Sequence, residues 1–159
     1  MANEKTNVMR ILDKYKIKYN HYTYGNGEAA SGDIVAKEIG KAPETVFKTL
    51  VTEGKSKNNY VFVVPVLKEL DLKKAASSVN EKAITMIKSK ELLPTTGYVH
   101  GGCSPIGMKK SFRTVVDSSA ENLETIIFSA GKIGFQVEVS PNDLKKIVNF
   151  NYADITTEE

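Results

Sequence analysis

Short runs of β-branched and aromatic residues, most of them joined without a full helix in between, limit this chain's choice of fold more than any other feature. "IKYNHYTY", "VFKTLVTEG", "NNYVFVVPV", "FRTVVD", "ETIIFSAG" and "IGFQVEVS" all have strand-like length and patterning. The polar "GKSKNN" between the second and third reads as a hairpin turn. Strands therefore outnumber helices, and the expected architecture is α+β: a mixed or antiparallel sheet, curled, with helices on its flanks.

Helices are signalled in fewer places. Val8, Ile11, Leu12 and Tyr15 follow the spacing of one amphipathic face. "GNGEAA" reads as a loop, after which "SGDIVAKEIG" opens on Ser31 as an N-cap and closes on Gly40, with Ile34, Val35 and Ile39 directed inward. Asp71 is placed to cap "LKKAASSV". "EKAITMIKSKELLPTTG" is ambiguous: "AITMI" is β-rich, while "SKELL" suits one helical turn stopped by Pro94. Ser140-Pro141-Asn142-Asp143 is a helix start that "LKKIVNF" continues, and "YADI" finishes as a strand.

A length of 159 residues predicts a single domain over residues 1–159, and 41% apolar residues is enough for a real core. No apolar run approaches the roughly 20 residues that span a bilayer, and the N-terminal stretch has no signal-peptide pattern. With one cysteine there is no internal disulfide, and a cytoplasmic setting is expected. The net charge of +3 is too small to diagnose nucleic-acid binding. The pairs Lys73-Lys74, Lys109-Lys110 and Lys145-Lys146 would form a footprint only on a shared face.

The usual catalytic kits are missing. Two separated histidines supply no metal-ligand set, and neither GxxxxGK[ST] nor GxGxxG occurs, so neither metal nor cofactor is expected. Three features remain. "TGYVHGGCSPIGMKK" brings Cys103 within three residues of His100, in a loop whose glycines allow close approach to the backbone. Lys48, inside "TVFKTLV", shares its strand face with Val46 and Leu50, which suits a cation against a pocket wall. "FSAGKIGFQVEVSP" places Ser129 at a strand end beside Gly131 and Gly134. On spacing alone a thiol enzyme, a backbone-lined binding loop and a plain strand connection all remain open.

Taken together and in order, "HYTY", "VFKTLV", "LDLKKAA", "TGYVHGGCSPIGMKK" and "FSAGKIGFQVEVSPNDL" resemble the YbaK/EbsC family, the bacterial Cys-tRNA(Pro) deacylases. The resemblance covers essentially the whole chain. It implies a closed, strongly bent, barrel-like mixed sheet flanked by helices, as in the editing domain of bacterial prolyl-tRNA synthetases. It also implies trans-editing: clearing tRNA(Pro) mischarged with cysteine, an amino acid that binding alone separates poorly from proline. The implied partners are the acceptor end of misacylated tRNA and prolyl-tRNA synthetase, with no membrane.

The resemblance further implies a chemistry in which the substrate's own thiol attacks its ester and leaves as a thiolactone, so that Cys103 is a bystander. Lys48 corresponds to the family's essential lysine, on the aminoacyl carbonyl or the terminal phosphate. Thr49, Ser129 and Gly131 match positions around the ester, Gly101, Gly102 and Ser104 the neighbouring loop, and Tyr24 an aromatic near the entrance. Two positions depart from the pattern: Ser31 stands where an aromatic often covers the substrate, and Gln136 where an aspartate is frequent. Both leave open an Ala-tRNA(Pro) or other deacylase. A module that binds a tRNA end without turnover is the alternative from another class.

Overall fold

A computed structural model describes residues 5–25 and 30–157; of the loop expected over residues 25–30, residues 26–29 lie outside the described residues. Helix α1 (Asn7–Lys14) is followed by strand β1 (Asn20–Thr23), helix α2 (Gly32–Ile39) and a 3-10 turn over Pro43–Thr45. The hairpin β2 (Phe47–Gly54) and β3 (Asn59–Pro65) leads into α3 (Leu72–Ser78), β4 (Ile84–Met86) and α4 (Ser89–Thr96). Strand β5 (Arg113–Asp117), β6 (Ile126–Ser129), β7 (Phe135–Val139), α5 (Pro141–Leu144) and β8 (Phe150–Ala153) complete the order.

The strands form two sheets rather than one closed barrel. β1-β7-β6 is a three-stranded antiparallel sheet, and β4-β2-β3-β5-β8 is mixed, with β3, β5 and β8 parallel. A parallel bridge between Val46 and Ile127 stitches the two where β2 begins. The result is bent and barrel-like, as expected, but among the described residues the sheet does not close.

Burial explains the bend. On one face of the larger sheet Phe47, Val51, Val61, Val63 and Val116 pack against Val8, Met9 and Leu12 of α1 and against Ile126, Phe128, Val137 and Val139 of the smaller sheet. The opposite face, with Tyr60, Phe62, Val64 and Val115, is covered by Ala75, Ala76 and Val79 around α3. β3 therefore has apolar residues on both faces, which is why "YVFVV" is a continuous run. A third, small cluster of Ala36, Val46 and Ile127 seats α2 over the junction of the sheets.

Several local expectations hold. Asp71 accepts hydrogen bonds from the N–H groups of Lys73 and Lys74, and Ser140 from that of Asp143. Gly40 ends α2 in the left-handed conformation. Others change. Tyr15 and Ile34 are exposed, because α1 ends before Tyr15 and α2 buries Val35 and Ala36 instead. Pro94 lies inside α4, which continues to Thr96 and ends at Gly97. α5 stops after a single turn at Leu144. No helix among the described residues is long and apolar enough to cross a membrane.

Candidate functional site

The site follows from where the two sheets part. Val46 and Ile127 bridge in parallel, so β2 and β6 leave that point in the same direction. Two residues further along, Lys48 on β2 and Ser129 on β6 line a cavity of about 350 Å³ that opens between the strands. β4 pairs only with Thr52–Gly54 and does not extend along this half of β2. β7 runs behind, where Gln136 is in register with both Ser129 and Tyr22.

Three further segments close the cavity. Tyr24, just past β1, is fixed by its N–H donating to the Gly134 carbonyl at 2.9 Å. The head of α2 supplies Ser31, Gly32 and Asp33, and a Cβ on Gly32 would collide with the side chain of Val66, so only glycine lets this helix sit so close to the end of β3. The loop after α4 supplies His100, Gly101 and Cys103. Seven of the ten sequence-derived site residues thus meet at one cavity: Tyr24, Ser31, Lys48, Thr49, Gly101, Ser129 and Gln136.

Gly102, Ser104 and Gly131 do not line it. Gly102 lies where the two glycine loops touch, since a Cβ there would stand 3.1 Å from the Ile133 nitrogen and 3.3 Å from the Lys132 carbonyl carbon. Ser104 is fully buried and accepts the Ile106 N–H at 3.3 Å. Gly131 has a positive φ of 91° and lies beneath the Tyr98 ring and Val8. Tyr98 in turn donates to the Ile106 carbonyl at 2.6 Å. These residues frame the loops from behind the cavity wall.

Lys48 is the one ammonium among the described lining residues, and its side chain is about one-third exposed. Its ion pair to Glu69 is long, 3.9 Å, and that carboxylate is largely in solvent, so the pair holds the lysine only weakly. Thr49 Oγ1 is buried without a hydrogen-bond partner, an orphan that a bound molecule could satisfy. The Ser129 hydroxyl accepts the Gly131 N–H at 3.1 Å, which orders the turn after β6. Ser31 occupies the N-cap position of α2 without capping it; its hydroxyl instead faces the Asp33 carboxylate, holding that acid below its ordinary range.

Cys103 is part of the cavity wall rather than a distant loop residue. Burial pushes its thiol up to about 12, against which the Thr96 hydroxyl acts only weakly, so at neutral pH it is a protonated, poorly nucleophilic group. The apolar lining formed by Val35, Phe47, Leu50, Val66 and Leu92 carries no motif and was not foreseen from the sequence. Strand parity points only to Leu50 and to Val46, which also lines the cavity.

A larger groove, about 760 Å³, runs along α1 and β1 past His21, Glu138 and Asp143. Its acids are already engaged: Glu138 accepts from Tyr22, Thr125 and Asn20, Asp13 pairs with Lys5, and Asp143 with Lys146. His21 is exposed on β1 with its ring tilted against Tyr19. The smaller cavity, with a loosely held ammonium and an orphan hydroxyl, is the better equipped for chemistry. Among the described residues no group of three or more His, Cys, Asp or Glu is placed to hold a metal ion.

The protein is thus a two-sheet α+β body whose Lys48-bearing cavity is backed by two touching glycine loops. Solved structures share the fold. One, "a putative trans-editing enzyme for prolyl tRNA synthetase", superposes with a TM-score of 0.81 at 19% identity, covering 97% of this chain and 99% of that one. A second, "hypothetical protein APE2540", gives 0.86 at 18% identity over 96% and 100% of the two chains. In sequence, residues 27–147 match the aminoacyl-tRNA editing domain. An Enterococcus faecalis protein named "Putative Cys-tRNA(Pro)/Cys-tRNA(Cys) deacylase EbsC" is 43% identical over 99% of this chain and 97% of its own length. The chain belongs to the aminoacyl-tRNA editing domain family.

Proposed function

We propose that this protein is a trans-editing deacylase that releases cysteine from Cys-tRNA(Pro), with Lys48 as its catalytic residue. The observation that carries the reading is a cavity able to hold and polarise an ester while offering no activated nucleophile of its own: Lys48 is its ammonium, and Cys103 is a protonated wall thiol. Such a site suits a substrate that brings its own nucleophile. The cysteinyl sulfur attacks the ester carbonyl carbon, its proton passes to the departing ribose oxygen, and the C–O bond breaks. Free tRNA and a cyclic thiolactone result, and water then opens the ring.

In this reading Lys48 faces the carbonyl oxygen as it gains charge, or the adjacent terminal phosphate. Thr49, Ser129 and Gly101 surround the ester, Tyr24 and Ser31 stand at the mouth, and Gln136 closes the back. Gly102, Ser104 and Gly131 act by holding the loop backbones that present these groups. Holding the thiol close to its own ester supplies up to ~7–11 kcal/mol in favourable cases. A cavity of about 350 Å³ encloses the aminoacyl end and little more of the tRNA, so recognition of tRNA(Pro) is assigned to a complex with prolyl-tRNA synthetase, in the cytoplasm, on a single domain spanning residues 1–159.

The experiment is a deacylation panel with Cys-, Ala-, Ser- and Pro-tRNA(Pro) at substoichiometric protein. Multiple turnovers with cysteine foremost support the reading. Faster release of alanine would move the assignment to Ala-tRNA(Pro), in keeping with an uncovered Ser31 and a neutral Gln136. Protection of every ester would mark a non-catalytic tRNA-end binder.

A further inference from the structure

The deacylase reading leaves one feature of an aminoacyl ester without a counterpart: its α-ammonium, beside a cavity whose reactive group is itself an ammonium. Lys48 alone would repel that charge, since like charges a few ångströms apart oppose each other even near a protein surface. Gln136, at the back, is buried and neutral. Among the described lining residues a single carboxylate is present, Asp33, in the first turn of α2. Gly32 lets this turn sit against Val66, which lines the same cavity. The Ser31 hydroxyl, and after it the N–H groups of Asp33 and Ile34, hold this exposed carboxylate below its ordinary range.

We propose that Asp33 receives the α-ammonium of the aminoacyl group at the cavity mouth and thereby selects substrates with a free amine. The inference rests on the deacylase reading and adds its substrate class. With the ammonium on Asp33 and the carbonyl directed to Lys48, the two charges fix the ester from both sides and place its side chain toward Thr49 and Cys103. Esters whose amine is acylated, as in formylated or peptidyl-tRNA, have no charge to offer and bind less well. Because Asp33 is exposed, the pair is screened by solvent, and its effect is one of selection rather than of rate.

The test separates this pair from the helix head that Asp33 also helps to form. Two non-hydrolysable probes are 3′-cysteinylamido-adenosine and its N-acetyl form, titrated calorimetrically against wild type, Asp33→Asn and Asp33→Glu. Wild type should prefer the free amine by about two- to fivefold, the range of an exposed ion pair. Asp33→Asn should abolish that preference and leave the N-acetyl probe unaffected, while Asp33→Glu restores part of it. Equal binding of both probes by wild type overturns the proposal, as does a loss in Asp33→Asn shared equally by both. Turnover of Cys-tRNA(Pro) in the same preparations reports on the deacylase reading separately, so that failure of either can be told from failure of the other.

Discussion

Lys48 and Cys103 show how little of a side chain's role is decided by its type. Lys48 is partly exposed and its partner Glu69 is largely in solvent, so removing its charge should barely move thermal unfolding. In the proposed reaction the same charge, on the cavity wall, faces the ester. Lys48→Ala should therefore lower single-turnover deacylation about a hundred- to a thousandfold, the worth of one preorganised donor, at unchanged melting temperature. Lys48→Arg should also be slow, because a planar fork does not replace a compact ammonium in a small cavity. Near-normal rates in both would remove Lys48 from the chemistry. Cys103 predicts the opposite: Cys103→Ser should deacylate within a few-fold of wild type. Iodoacetamide should modify the native thiol far more slowly than the thiol of the unfolded chain, because burial raises it from 9.0 to about 12. Rapid inactivation at neutral pH would restore the thiol-enzyme alternative.

The two glycine loops work as one element. Gly102 packs its α-carbon against the Lys132–Ile133 backbone, and Tyr98 spans Gly131 and Gly107 while its hydroxyl reaches the Ile106 carbonyl. Gly102→Ala must push two backbones apart, which should cost about 1–3 kcal/mol of stability and shift Gly101 at the cavity wall. Chemical denaturation of the variant beside its deacylation rate checks both effects; an unchanged pair would mean that the loops do not depend on this contact. The same loop gives the fold an alkaline limit. Burial raises Tyr98 from 10.0 to about 12 and Cys103 from 9.0 to about 12. The folded protein thus holds protons that the unfolded chain releases first, so their contribution is full below about pH 9 and is lost as pH rises toward 12. Tyr98→Phe and Cys103→Ala should each flatten the fall of the melting temperature between pH 9 and 11, and identical slopes would argue against buried titration here.

Over the whole molecule the positive charge is distributed and partly engaged. Lys74 pairs with Asp154, Lys146 with Asp143, and Lys145 lies over Phe150 and Tyr152. The cavity that takes the aminoacyl end carries one lysine among its described lining residues, so few phosphates are neutralised there and the salt dependence of tRNA binding should be shallow, with a slope of only a few released ions; a steep slope in potassium chloride would reveal a broader basic footprint. How far the sequence reaches is visible in particular elements. The strands β2, β3, β5, β6 and β7, the Asp71 and Ser140 caps and the Gly40 stop were legible because each is written within a few neighbouring residues. The length of α4 was not, since Pro94 signals a stop and the helix nevertheless continues to Thr96. The outward turn of Ile34 was also missed, because α2 takes its inner face from the junction at Val46 and Ile127 rather than from its own apolar count. Motif and order placed Lys48, Ser129 and the glycine loops near one another, but could not tell lining residues from framing ones. That distinction, like the role of Asp33, depends on where β2 and β6 part beyond a single bridge and on how closely one helix head approaches Val66. Local sequence determined the strands, caps and turns, through contacts within a few residues. The cavity was decided by tertiary packing alone, because its walls come from segments up to about a hundred residues apart whose distances are set by the core between them.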